Sequence, residues 1–179
     1  MTAKIYTKVG DKGLTKQVTG TMVPKYDMQI EVLGQVDELE SWLGVTLAML
    51  NKKTEKLAPE LQQIQRKLYI FQVDLAIKRK HDITDADTEV LEERIDHLVN
   101  KLPQIKEFIL PGGEKTGANL QYARTLARKA ERTVVKLHQK QQAVTDEELK
   151  FINRLSDYLF ILARYANYLD NYKDVQAKE

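Results

Sequence analysis

A chain of 179 residues with 28 basic and 26 acidic side chains has a formal net charge of +2, so charge alone implies no non-specific binding to nucleic acid or to a membrane surface. The absence of cysteine excludes a disulfide framework, a thiolate nucleophile and a cysteine-type zinc site. The length suits one domain, 1–179, with a real core, and neither a leader-like apolar run nor a membrane-spanning stretch of roughly 20 apolar residues is present, which predicts a soluble cytoplasmic protein.

Residues 1–30 differ from everything after them. KIYTKVGDKGLTKQVTGTMVPK is rich in Thr, Gly, Lys and β-branched residues and has no 3.6-residue apolar period, which predicts an extended arm with a tight loop. In that loop Gly10 and Gly13 flank an acidic turn that opens with Thr7, Lys8 and Val9, and Thr15, Lys16 and Lys25 follow. Glycines let backbone N–H groups form a concave nest for an anion, and lysines add charge. The same residues also suit a plain hairpin turn, and the spacing is not the Walker pattern.

From about residue 31 the apolar spacing becomes helical. Val32, Val36, Leu39, Leu43, Leu47 and Leu50 form one stripe; Leu57, Leu61, Ile64, Leu68, Phe71 and Leu75 form a second; Leu91, Ile95, Leu98 and Leu102 form a third. Leu120, Ala123, Ala127, Ala130, Val134 and Leu137 make a fourth, and Leu149, Ile152, Leu155, Leu159, Leu162, Ala166 and Leu169 a fifth. The fold class predicted is all-α, a five-helix bundle over 31–172 preceded by the arm. Thr145 with Glu148 is a capping-box pattern, and Thr84 with Asp87 a weaker one. The links at 51–56, 78–83 and 139–144 are of bundle length, whereas 103–115 is longer and carries Phe108, Ile109 and Leu110, which must be buried beneath the link or against a ligand.

The stretch from Phe108 to Arg132 carries the most chemistry. Pro111-Gly112-Gly113 ends an apolar run, and the helix that follows holds Arg124, Arg128 and Arg132 at four-residue steps, hence on one face. Guanidinium forks bind phosphate oxygens bidentately and stay charged at any working pH. A ladder of this kind fits a polyphosphate; it also fits a solvated face paired with acidic neighbours. Asp37, placed near the start of the first helix, could serve the helix dipole or hold one of these arginines. Asn153 sits beside the last apolar stripe, where it could bond a ligand or a neighbouring helix. His81, His97 and His138 are scattered, so no metal held by histidines is expected, and no Ser-His-Asp set is legible. The C-terminal tyrosines read as packing, and nothing points to nucleic acid.

Taken in order, Ile5-Tyr6-Thr7-Lys8 through Gly13, Val36-Asp37-Glu38-Leu39, Phe108-Ile109-Leu110-Pro111-Gly112-Gly113, Ala123-Arg124-Thr125, Arg128-Lys129-Ala130-Glu131-Arg132 and Asn153-Arg154-Leu155-Ser156-Asp157-Tyr158-Leu159-Phe160 resemble the motif series of the PduO-type ATP:cob(I)alamin adenosyltransferases. The resemblance covers 4–168. It implies a five-helix bundle assembled as a homotrimer, with active sites between adjacent subunits, that moves the 5′-deoxyadenosyl group of ATP to the cobalt of cob(I)alamin. Thr7, Lys8, Val9, Gly10, Thr15, Lys16 and Lys25 would hold the triphosphate, together with Arg128, Lys129, Ala130, Glu131, Arg132 and Asn153. Arg124 would pair with Asp37 at the subunit boundary, and Phe108 would lie beneath the corrin ring and exclude the lower axial ligand. Magnesium is expected on the nucleotide, not on protein ligands. A cobalamin reductase and an adenosylcobalamin-dependent enzyme are the further partners implied.

The reaction implied needs no protein nucleophile or base, because Co(I) is itself the nucleophile; the protein must orient carbon toward cobalt and stabilise departing triphosphate. Two other classes use the same features: a non-catalytic sensor or carrier of ATP or adenosylcobalamin, and a structural helical oligomer. The chain departs from the family pattern at Leu14 and Lys16, where hydroxyl residues are commoner, at Glu40 for Asn, at Gln121 for His and at Lys129 for a second Arg. Lys129 keeps the charge and loses the fork.

Overall fold

The structure, a computed structural model, describes residues 5–77, 80–141 and 143–178. Two short strands, β1 (Leu14–Lys16) and β2 (Met22–Pro24), pair antiparallel with Thr15 opposite Val23. Five helices follow: α1 (Met28–Ala48), α2 (Ala58–Ala76), α3 (Asp85–Val99), α4 (Lys115–Gln141) and α5 (Asp146–Leu169). A single 3₁₀ turn, Glu55–Leu57, leads into α2, whose Pro59 sits in the first turn, where its missing N–H is harmless.

Caps fix the helix starts. Both capping boxes are formed, Thr84 with Asp87 and Thr145 with Glu148. At α1 the Asp27 carboxylate accepts from the Gln29 amide at 2.9 Å, so the helix begins before residue 31. Asp37 consequently lies well inside α1, beyond the first turn, and the dipole reading of that residue is corrected. Helix α4 runs on to Gln141, which shortens the link expected at 139–144; Gln142 is outside the described residues, as are Lys78 and Arg79 of the link expected at 78–83. The described part of that link is held by buried Asp74, which accepts from the backbone N–H of Asp82 at 2.7 Å and Ile83 at 2.9 Å.

The helices alternate in direction. Gln29 Nε2 reaches the Leu75 carbonyl and Gln65 Nε2 the Glu40 carbonyl, which sets α2 antiparallel to α1. Gln35 accepts from Thr133, and the Trp42 indole donates to the Asn119 carbonyl at 3.1 Å while its ring meets Tyr122 edge-on, so α4 is antiparallel to α1 as well. The apolar stripes converge on one core in which Leu39, Leu43, Leu61, Leu68, Phe71, Leu120, Leu137, Phe151 and Ile152 are almost fully buried. Each such side chain contributes about 1.5–3 kcal/mol relative to exposure. Helix α5 is the most enclosed, with every residue from Ile161 to Asn167 buried.

In the link between α3 and α4 the structure decides against one of the two alternatives expected for the apolar run, burial beneath the link, and leaves burial against a ligand. Phe108 is 90% exposed and Leu110 53%, so the apolar run is not buried within the chain. Backbone pairing takes the place of burial: Ile109 forms an antiparallel bridge with Gln176 of the C-terminal segment.

Candidate active site

The arm builds a compact loop. Lys8 adopts a positive φ of 63°, the Asp11 amide donates to the Lys8 carbonyl at 3.3 Å, and the Gly13 amide donates to the Gly10 carbonyl at 3.2 Å. Gly13, at φ 79°, lets the chain turn into β1, and its carbonyl accepts from the Lys25 amide at 2.9 Å. The Lys25 side chain lies across Gly10, whose Cβ, if present, would stand 3.3 Å from Nζ. Gly10 thus matters as the seat of a lysine. Thr7, Lys8, Val9, Lys16 and Lys25 are exposed, and Thr15 is half-buried. A relay from Gln17 to Gln29 at 2.6 Å, and from Gln29 to the Leu75 carbonyl at 2.7 Å, fastens the hairpin to the end of the bundle where α1 begins.

Helix α4 carries the arginine ladder outward from the core. Its inner face, including Ala123, Ala127 and Ala130, is fully buried, so Ala130 supports the ladder from beneath and presents no side chain to a ligand. Arg124 is half-buried and donates from Nε to Gln121 Oε1 at 2.9 Å. Burial, and then the charge of Arg128, hold its guanidinium below the ordinary basicity of arginine. Arg132 folds back to donate to the Arg128 carbonyl at 3.0 Å. Among the described residues the Arg128 guanidinium itself has no hydrogen bond or ion pair. Lys129 differs: its ammonium bonds Glu38 on α1 at 2.6 Å, a bond that raises its pKa. Glu131 is half-buried, and Asn153 points outward from α5 and is exposed, not on an inner face.

Asp37 is exposed on α1, and among the described residues neither Asp37 nor Arg124 has an oppositely charged partner within the chain. No hydrogen bond or salt bridge joins Lys16 or Lys25 to the ladder within one chain either, among those residues. The carboxyl of Glu40, one turn along from Asp37, is raised by burial and then by the Asp37 charge, against the bond it accepts from Gln72 at 2.6 Å.

At the other end of α4, Phe108 borders a cavity of about 770 Å³ with Ile109, Pro111, Gln121, Arg124 and Phe160. Gln121, 3% exposed, has its Nε2 unpartnered among the described residues. The glycine pair before α4 has a packing cause. Gly113, at φ 130°, and Gly117 both leave room for Asn167 of α5, whose Nδ2 donates to the Gly112 carbonyl at 3.0 Å. A separate cleft of about 670 Å³ between α2, α3 and α5 is lined by groups that satisfy one another: Arg94 with Glu60, Lys67 with Asp87, and Tyr158 with Glu60. Desolvation in that setting, with Glu60 beside it, drives the Tyr158 phenol far above its usual range.

Sequence reasoning named Glu38 and Phe160 within motif runs without giving either a role, and it missed Asn167. Glu38 and Lys129 carried a charge signal, but on different helices, so only the α1–α4 register could reveal the pair.

Fold and site together define a five-helix bundle in which one helix presents a run of cations beside an exposed aromatic loop. Residues 5–166 match the family model described as cobalamin adenosyltransferase, and the chain belongs to that family. It is 41% identical to the corrinoid adenosyltransferase of Bacillus subtilis (strain 168), covering 97% of this chain and 91% of that protein. It is 42% identical to the corrinoid adenosyltransferase MMAB of Homo sapiens, covering 91% of this chain and 68% of that one. Among solved structures it resembles a PduO-type ATP:corrinoid adenosyltransferase from Lactobacillus reuteri, a phenylalanine-to-alanine variant complexed with cobalamin and ATP, at a TM-score of 0.93 and 41% identity over 98% of this chain and 100% of that one. An arginine-to-lysine variant from the same organism, complexed with ATP, matches at a TM-score of 0.91 and 42% identity over 97% of this chain and 100% of that one.

Proposed function

We propose that the chain transfers the 5′-deoxyadenosyl group of ATP to the cobalt of cob(I)alamin, yielding adenosylcobalamin and inorganic triphosphate. One observation supports this reading: a single face of α4 runs from the cavity beside Phe108 to the end where the arm is fastened. Arg124 borders the cavity with Phe108, and Arg128 and Arg132 continue toward the end where the arm is fastened. Eight residues of helix separate Arg124 from Arg132 by about 12 Å along the axis, room for an extended polyphosphate beside the ring of a corrinoid.

In the reaction the Co(I) electron pair forms the cobalt–carbon bond to C5′ as the C5′–O bond breaks, and the bonding pair leaves with triphosphate. The chain supplies orientation and charge. Arg128, Arg132, Lys16, Lys25 and the backbone amides of 7–10 are assigned to the triphosphate, where they stabilise the charge that builds on the leaving group. Asn153 and Thr15 complete this set, and Lys129 joins it if it leaves Glu38. Phe108 is assigned to the lower face of the corrin, where its bulk displaces the axial ligand that would otherwise stabilise Co(II) against reduction.

Asp37 and Arg124, each unpaired in one chain among the described residues, are assigned to one another across a subunit boundary. That pairing belongs to a homotrimer in which the arm of one subunit reaches the ladder of the next. Magnesium is assigned to the phosphates, which suits an ion that keeps several waters and is commonly held through substrate oxygens. Among the described residues no helix is long and apolar enough to cross a membrane. The setting proposed is cytoplasmic, where a reductase would supply the electron and an adenosylcobalamin-dependent enzyme would take the product.

Incubation with ATP, magnesium and chemically reduced cobalamin tests the reading. The visible spectrum of a cobalt–carbon bond and an equal amount of triphosphate are expected. Binding without triphosphate release makes the chain a sensor or carrier, and absence of nucleotide binding makes it a scaffold.

A further inference from the structure

The last residues of the chain are built into the fold. After α5 the backbone turns at Asn171, φ 61°, and runs back along the link that carries Phe108. The Leu110 amide donates to the Val175 carbonyl at 2.8 Å, and the Ala177 amide donates to the Phe108 carbonyl at 2.7 Å, enclosing the Ile109–Gln176 bridge. Arg164, 5% exposed, ties both segments to α5: Nε donates to Asp174 at 2.7 Å and Nη2 to the Pro103 carbonyl at 2.8 Å. Ala177 and Lys178 line the same cavity as Phe108 and Arg124. The returning segment lies beyond residue 166, outside the region matched by the family model.

We propose that this C-terminal strap is part of the corrinoid site, and that Arg164 and Asp174 are positioning residues that fix Phe108 through it. The inference rests on the activity proposed above. An exposed aromatic on an irregular link has no packing of its own, so its ring is aimed only by its backbone. That backbone is held on one side by the Ala177 amide and on the other by the Leu110 bond, and both depend on the strap staying in place. A buried arginine with a carboxylate on one fork and a carbonyl on the other is an expensive device for stability alone, because each ion loses hydration. It is well suited to fixing two segments in register. The strap residues Ala177 and Lys178 then form a wall of the cavity that receives the ring.

Two variants test this in the full chain. Asp174→Asn removes the charge at constant shape, and Ala177→Pro removes the amide bonded to Phe108 while leaving the core untouched. Both are expected to raise KM for cobalamin about tenfold, as misplacement of a positioning group by a fraction of an ångström does. Both should slow turnover that starts from Co(II) with a reducing system more than turnover from chemically prepared Co(I). KM for ATP should stay within about twofold of wild type. Amide exchange at Leu110 should quicken in both, and Asp174→Glu should restore part of the cobalamin KM. Unchanged cobalamin parameters in both variants would overturn the proposal, and so would parallel rises in both KM values with a falling Tm, the mark of a merely structural role. Wild-type protein that forms no adenosylcobalamin overturns the proposed activity and the strap's role with it; active wild type with indifferent variants overturns the strap alone.

Discussion

Asn167 on α5 occupies the space that a side chain at Gly113 would need, and its amide holds the carbonyl of Gly112. The glycine pair that ends the apolar run in the sequence is thereby a docking point between the Phe108 link and the most buried helix. Gly113→Ala meets both a collision with Asn167 and a φ of 130° that an alanine rarely adopts. The expected loss is about 3 kcal/mol, read as a lower midpoint in urea unfolding.

Phe108 behaves in the opposite way. At 90% exposure its removal opens no cavity, so Phe108→Ala should change stability by less than about 0.5 kcal/mol. Activity measured with a reducing system that must pass through Co(II) should fall by at least about tenfold, roughly 1.4 kcal/mol of barrier. Equal turnover of wild type and variant in that assay would refute the wedge role.

Arg128 and Lys129 are neighbours in sequence with different duties. The first is free to meet a ligand among the described residues, whereas the second is held by Glu38. Arg128→Ala should lower kcat/KM for ATP by about 10- to 100-fold, the size of one charge-assisted bond of about 1.5–3 kcal/mol. Lys129→Ala should cost less activity, and the loss of its exposed ion pair no more than about 1 kcal/mol of stability. Steady-state kinetics at varied ATP decides the order.

Asp87 gives a pH-dependent prediction. Burial pushes its carboxyl up, but the Lys67 ammonium and the amide and hydroxyl of Thr84 outweigh burial and hold it below the ordinary aspartate value. A depressed carboxyl adds stability that is complete above its unfolded pKa of about 3.9 and is lost as pH falls through the lower folded value. Asp87→Asn should therefore destabilise by about 1 kcal/mol at pH 7, the typical worth of a cap, and the gap from wild type should close in acid below pH of about 3.9. Thermal unfolding at the two pH values measures it, and a gap that persists in acid rules the assignment out.

The bundle was legible because burial imposes a period. Val32 to Leu43, Leu61 to Leu75 and Leu149 to Ala166 repeat every three or four residues, and each of those stripes lies in the core. Both capping boxes were legible for a similar reason, since the bonds they make are local. The start of α1 was not, because Asp27 is a lone cap without its acidic partner three residues on. Non-local contacts left no trace. The pairing of 108–110 with the C-terminal segment, the docking of Asn167 and the Glu38–Lys129 bond each join residues far apart in the chain, and none produces a pattern within a window. The arginine ladder was read correctly as one face of a helix, yet the sequence could not tell that Arg124 leans on Gln121 while Arg132 turns back on its own backbone.

Arg124 and Arg128 stand close enough that one makes the other less basic. Within one chain that repulsion is unrelieved; on the assignments proposed above, Asp37 of a neighbouring subunit would offset it at Arg124 and a polyphosphate would offset it at Arg128. A departing triphosphate carries more charge than the same atoms did within ATP, so on the proposed assignment the grip of Arg128 would tighten as the bond to carbon breaks. A tightly held spent anion would leave slowly, so a first adenosyl transfer faster than later ones is the expected outcome in a rapid-mixing experiment, and a progress curve without a burst would rule it out.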